Sequence, residues 1–198
     1  MNCSKGKIWL TIFSVMILLP LAIFAQEAND IQYKFMQTDS SYSFYSTFRI
    51  RSYPDCLLDI CFDYRHIRLL APDAKEVQLI NQGVNWNQIR YTYQKYIFFE
   101  NITVWHRKVN SEKQRVDFNL ISSKNNLAIM PGLISSSGFY QINKQGEHVF
   151  VEYYQQCQLT KSSLTKSYLS RVQKEAIQFI YRFSEYANAI CGFSTTND

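Results

Sequence analysis

Glycine and proline are scarce in this 198-residue chain, at six and four residues, which excludes a collagen-like polymer or a flexible linker. Dense basic blocks are missing as well: the formal charge is +5, with lysine and arginine spread along the whole sequence. The clustered stripe of a nucleic-acid-binding surface is therefore not indicated. Cysteine occurs five times, never as a C-x-x-C pair, and His66, His106 and His148 do not stand at metal-ligand spacing from any of the five. That argues against a zinc centre, and no other metal or cofactor motif is found. Nucleophile-elbow, phosphate-loop and local triad signatures are absent too. After the first 25 residues, no apolar run reaches the ~20 residues that a spanning helix requires.

What is present begins at the amino terminus. Lys5 and Lys7 precede an apolar stretch over 8–24, interrupted by Pro20 and followed by Ala25 and a polar run over 26–30. This is the charged, apolar, small-residue order of a secretory signal. An uncleaved membrane anchor could use a run of the same length, but Pro20 close to the small residue favours cleavage. Residues 1–25 are thus expected to be a signal peptide and the chain to be exported, to the periplasm or the extracellular medium. Cys3 lies before the apolar stretch, which gives no sign of a lipid-modified cysteine. Cleavage leaves 173 residues carrying +3, enough for one domain with a substantial core. Cys56, Cys61, Cys157 and Cys191 then remain, and an exported chain can pair them. Three complete pairings are open.

Residues 26–40 are polar and expected to be a leader. From Tyr42 the pattern alternates, with Tyr42, Phe44, Phe48 and Ile50 on one side and Arg49 and Arg51 on the other, which predicts a half-buried strand. Pro54 ends it and opens a short helix over 53–62, followed by a helical turn over 63–70. Alternation then returns for most of 90 residues. It predicts strands at 75–81, 86–94, 97–109, 113–121, 137–144 and 147–158, with turns at Gln82-Gly83, Asn110-Ser111 and Gln145-Gly146. Short connections imply antiparallel hairpins. The long connection over 122–137 contains Leu127, Ile129, Met130, Leu133 and Ile134, and such loops often act as lids.

The clearest element is a helix over 164–190, capped by Ser162 or Ser163 and ended by Gly192. Leu169, Val172, Ala176, Phe179, Ile180, Phe183, Ala187 and Ile190 form one broad apolar face. Lys166, Arg171, Lys174, Glu175, Arg182 and Glu185 are expected on the opposite side.

A strand, short helices, six antiparallel strands and a long C-terminal helix form an order that resembles the helix-grip fold of the START and polyketide-cyclase-like (SRPBCC) superfamily. The local likenesses are Ser52-Tyr53-Pro54-Asp55, Asp63-Tyr64-Arg65-His66, Ser137-Gly138-Phe139-Tyr140-Gln141-Ile142 and Val151-Glu152-Tyr153-Tyr154. The Arg-Asp pair common in the middle strands of cyclase-like members is missing; Asn101-Ile102-Thr103-Val104 occupies that region. The resemblance implies an α+β START-like domain over 41–192, with a curved antiparallel sheet around the long helix and a tail at 193–198. It also implies a bridge from Cys191 to Cys56 or Cys61.

Members of this superfamily hold an apolar cavity between sheet and helix, and most bind a lipid, sterol or polyketide there. The expected ligand-binding residues here are Tyr91, Tyr93, Phe99 and Trp105 from the sheet and Val172, Ala176, Phe179 and Phe183 from the helix. Ile129 and Met130 of the 127–134 loop join them, as a gate or a transient membrane contact. Ordinary core packing is the alternative for any one of these residues, and a loop folded onto the core is the alternative for the gate. The expected partner is a hydrophobic small molecule or lipid, with no nucleic acid and no cofactor. A cyclase or dehydratase using the same cavity is the competing reading, with His66, His106 or His148 near Asp63, Asp117 or Glu152 as acid and base. A closed-cavity envelope interaction protein is the third. No catalytic residue is assigned. The triplet Asn101-Ile102-Thr103 is a glycosylation sequon inside an expected strand, and carries little weight.

Overall fold

The computed structural model describes residues 30–95 and 99–192. The expected signal peptide, the start of the leader and the tail at 193–198 lie outside the described residues. The element order is β1 (Gln32–Gln37), β2 (Ser41–Arg51), α1 (Pro54–Phe62), α2 (Tyr64–Leu70), β3 (Glu76–Gln82) and β4 (Trp86–Lys95). It continues with β5 (Phe99–Asn110), β6 (Arg115–Asn125), β7 (Leu133–Gln145), β8 (His148–Leu159) and α3 (Thr165–Cys191). All strands form one antiparallel sheet in the order β1-β2-β8-β7-β6-β5-β4-β3. Only β2 and β8 are neighbours without being consecutive, because α1 and α2 carry the chain from β2 to the far edge. The result is the α+β helix grip, with the curved sheet wrapped around α3.

Three bulges contribute to the curvature. The registers skip Ile80 in β3, Ile121 in β6 and Ile134 in β7, and an extra residue bends its strand and increases the local twist. All three isoleucines are exposed, while the residues around them keep their facing. Gly138 in β7 marks a close approach: a Cβ there would run into the Tyr154 carbonyl and the Phe118 ring. Gly146 takes φ +62° in the β7–β8 turn, a backbone conformation that suits glycine.

The core follows the alternation of β2, which buries Phe44, Ser46, Phe48 and Ile50 against α3. Phe48 meets Phe183 edge-on, with ring centroids 5.3 Å apart. Helix α1 has Pro54 in its first turn and buries Leu57, Leu58, Ile60 and Cys61. Cys56 is disulfide-bonded to Cys191, whereas Cys61, the other partner considered, is a buried free thiol. The expected serine cap of α3 is corrected: the N-cap position is Leu164, without a side-chain cap. Ser162 instead closes the turn before the helix, its hydroxyl accepting from the Leu164 N–H while the Thr165 hydroxyl accepts from the Ser162 N–H.

Two expectations are corrected. Residues 32–37 of the expected leader form β1, which pairs with β2 from Gln32 opposite Thr47 to Gln37 opposite Tyr42. Its buried surface is small, so its sequence lacks a clean period-two signal. The connection expected at 122–137 is shortened to 126–132, because β6 continues to Asn125 and β7 begins at Leu133. Serines at these strand ends bond across the sheet, as Ser136 Oγ does to the Gln156 carbonyl, and so hide the alternation.

Candidate functional site

A cavity of about 340 Å³ lies between α3 and the concave face of the sheet. Alternation along β5 sends Phe99, Asn101, Thr103, Trp105 and Arg107 to its wall. Strand β4 adds Tyr91 and Tyr93, whose rings stack 6.2 Å apart. From β7 and β8 come Tyr140 and Tyr153, 5.0 Å apart. Helix α3 supplies Val172, Ala176, Phe179 and Phe183 at three- and four-residue intervals, the spacing that holds side chains on one face.

Of the ten residues expected from sequence, nine stand on this wall: Tyr91, Tyr93, Phe99, Trp105, Met130, Val172, Ala176, Phe179 and Phe183. Ile129 does not. It is 61 % exposed on the outer side of the loop, because the short turn that directs Met130 inward directs its neighbour to solvent. Within the loop, Gly132 and Thr160 are tied by paired bonds, Gly132 N–H to the Thr160 hydroxyl and Thr160 N–H to the Gly132 carbonyl. Asn101 of the sequon also lines the cavity.

The main omission from the sequence reading is Arg107. This side chain is only 4 % exposed and lines the cavity. One Nη donates to the Cys61 carbonyl at the end of α1, among the last helical carbonyls that lack a partner within the helix. The other Nη is buried without a hydrogen-bond partner. Its position two residues from Trp105, on the same strand face, was the available signal.

Burial raises the phenol pKa values of Tyr91, Tyr93, Tyr140 and Tyr153; Arg107 opposes the rise at Tyr91, Tyr140 and Tyr153. These phenols remain neutral hydrogen-bonding groups at ordinary pH. The Cys61 thiol is raised by the same cause, with Arg107 opposing. Cys157 is pushed up to about 11 by burial, against the hydrogen bonds to Ser136 and Tyr42. Neither thiol is an activated nucleophile.

The partly exposed charges of α3 border the cavity instead of lying wholly on the outer face. Arg171 bonds Glu175 at 2.9 Å, and Arg182 reaches Asp73, on the α2–β3 connection, at 3.5 Å. None of the acid and base residues considered for an enzyme lines the cavity. His66 meets the Tyr186 hydroxyl at 2.7 Å and Asp59 at 3.4 Å, off the cavity lining. His106 stands beside Trp86, and His148 begins β8 opposite Arg51. Asp63, Asp117 and Glu152 bond Arg65, Arg115 and Asn143 respectively. Among the described residues, no three His, Cys, Asp or Glu side chains are grouped to hold a metal ion.

The architecture is shared with solved structures at low sequence identity. A STAR-related lipid transfer protein from Xanthomonas axonopodis matches with a TM-score of 0.62 and 12 % identity, over 83 % of this chain and 97 % of that one. A protein of Thermus thermophilus, TTHA0849, matches at 0.60 and 11 % identity, over 74 % and 94 %. A truncated norcoclaurine synthase from Thalictrum flavum matches at 0.57 and 10 % identity, over 80 % and 99 %. The chain shares the helix-grip fold of these structures. No protein-family model matches it, and no curated sequence does. A lipid transfer protein and a synthase share this fold, so function must be argued from the site.

Proposed function

We propose that this protein is an exported carrier that holds a hydrophobic small molecule, of the lipid class, in the cavity between the sheet and α3. The observation that carries the reading is the cavity itself: about 340 Å³ lined mostly by aromatic and aliphatic side chains, with polar and charged groups among them, the usual composition of a small-molecule site. Ala176 leaves room where a larger residue would fill the groove. The lining offers neutral phenols and three arginines, and its two carboxylates, Asp73 and Glu175, pair with Arg182 and Arg171 and not with a histidine, which favours binding over catalysis. Export is supported by the signal-like amino terminus and by the Cys56–Cys191 disulfide, a bond that persists in oxidising compartments.

Ile129 is exposed next in sequence to Met130, which lines the cavity. We assign this end of the loop to transient contact with a membrane during loading or release, since exposed apolar groups near a cavity favour such a surface. Titration of the chain from residue 26 with a fluorescent acyl-chain probe tests the binding reading. Saturable one-to-one uptake that unlabelled lipid displaces is expected. Absence of uptake of every acyl probe would overturn it.

A further inference from the structure

Arg107 points to the chemistry of the ligand's head. A guanidinium stays protonated at any pH the protein meets, and a buried charge is costly unless it is paired. Arg107 is 4 % exposed, yet no carboxylate among the described residues lies within ion-pair distance of it. Its interactions are one helix-end carbonyl, from Cys61, and the Tyr140 ring, whose centroid is 6.0 Å from the guanidinium carbon. The remaining Nη is buried and unsatisfied on a residue of the cavity wall. The two carboxylates that line the cavity are otherwise engaged, Asp73 with Arg182 and Glu175 with Arg171.

Building on the binding reading above, we propose that the ligand is an amphiphile with a carboxylate head, and that this head pairs with Arg107 at the α1 end of the cavity. The tail then runs along β5 past Trp105 and Thr103 towards Phe99, eight residues away, a span of roughly 26 Å at the rise of an extended strand. A carboxylate supplies the missing counter-charge and accepts charge-assisted bonds from the guanidinium. The phenols of Tyr91 and Tyr140, which line the same cavity, are available as further donors.

The test compares three ligands with one tail: dodecanoic acid, dodecanol and methyl dodecanoate. Their affinities are measured by calorimetry at neutral pH on the unmodified chain and on Arg107→Met. The unmodified chain is expected to bind the acid about tenfold or more tightly than the alcohol or ester, the preference a charge-assisted bond provides. In Arg107→Met the preference should vanish while alcohol binding persists. Equal affinities for all three ligands in the unmodified chain would overturn the head assignment and leave the carrier reading standing. No binding of any would overturn both. Should Arg107→Met fail to fold, the comparison on the unmodified chain still decides.

Discussion

Cys56 in α1 and Cys191 at the last residue of α3 are disulfide-bonded across 135 residues of sequence, with Cα atoms 5.9 Å apart. The bond fastens the far end of the long helix to the short helix beneath it. Closing so long a loop removes much freedom from the unfolded chain, and loss of such a bond typically costs about 2–5 kcal/mol. Cys191→Ser should lower the urea midpoint accordingly. Thiol counting on the denatured, unreduced chain from residue 26 should find two reactive cysteines, Cys61 and Cys157; four would show that the bond does not form.

Phe183 is fully buried, touching Phe48, Tyr140 and Phe179. Phe183→Ala should destabilise the fold by about 3–5 kcal/mol, the usual range for an emptied aromatic site. Denaturant unfolding measures the loss. A cost below ~1 kcal/mol would mean that the helix does not pack there as described.

Ala176 lines the cavity and is only partly buried. Ala176→Phe should fill the space its small side chain leaves open. Uptake of an acyl probe is expected to fall at least about tenfold, the equivalent of 1.4 kcal/mol, with the melting temperature nearly unchanged. Undiminished uptake would place the ligand elsewhere.

Ile129 and Met130 are adjacent but face different surroundings. Ile129→Ser should leave affinity for a soluble probe unchanged and slow transfer between vesicles. Met130→Ser should alter affinity itself. Unchanged transfer rates in Ile129→Ser would remove the membrane-contact role.

Asp63 caps α2 by accepting from the Arg65 N–H, and also bonds the Arg65 guanidinium. The Arg65 side chain holds the Asp63 carboxyl below its ordinary pKa, against a smaller opposing effect of burial. A depressed folded-state value means that the stabilisation is complete above the unfolded carboxylate value and is lost as pH falls through the folded one. Asp63→Ala should cost about 1 kcal/mol at neutral pH, as loss of a cap does. The gap to the unmodified chain should close in acid. A gap that persisted at low pH would assign the effect to something other than the ionised cap.

Strong periodicity made β2 and α3 readable. Phe44, Phe48 and Ile50 hold one face of β2, broken only by Ser46, and the apolar residues of α3 recur at helical spacing across 27 residues. Strand β1 was hidden because it is an edge strand with little buried surface: Tyr33 and Met36 are exposed, and only Phe35 is half-buried. The ends of β6 and β7 were hidden by bulged, exposed isoleucines and by serines whose partners lie across the sheet. At the cavity, aromatic residues were legible because burial is their usual fate. Arg107 was not, since a charged strand residue normally faces solvent. Arg171, Glu175 and Arg182 were assigned to the outer face because charge and helical angle alone do not reveal that the cavity reaches that edge of α3.

The most direct test of the carrier reading is native mass spectrometry of the protein purified from its own host, followed by organic extraction. A discrete added mass, released as a lipid-class molecule on extraction, is the expected result. An unliganded protein whose cavity also refuses every acyl probe offered would contradict the assignment.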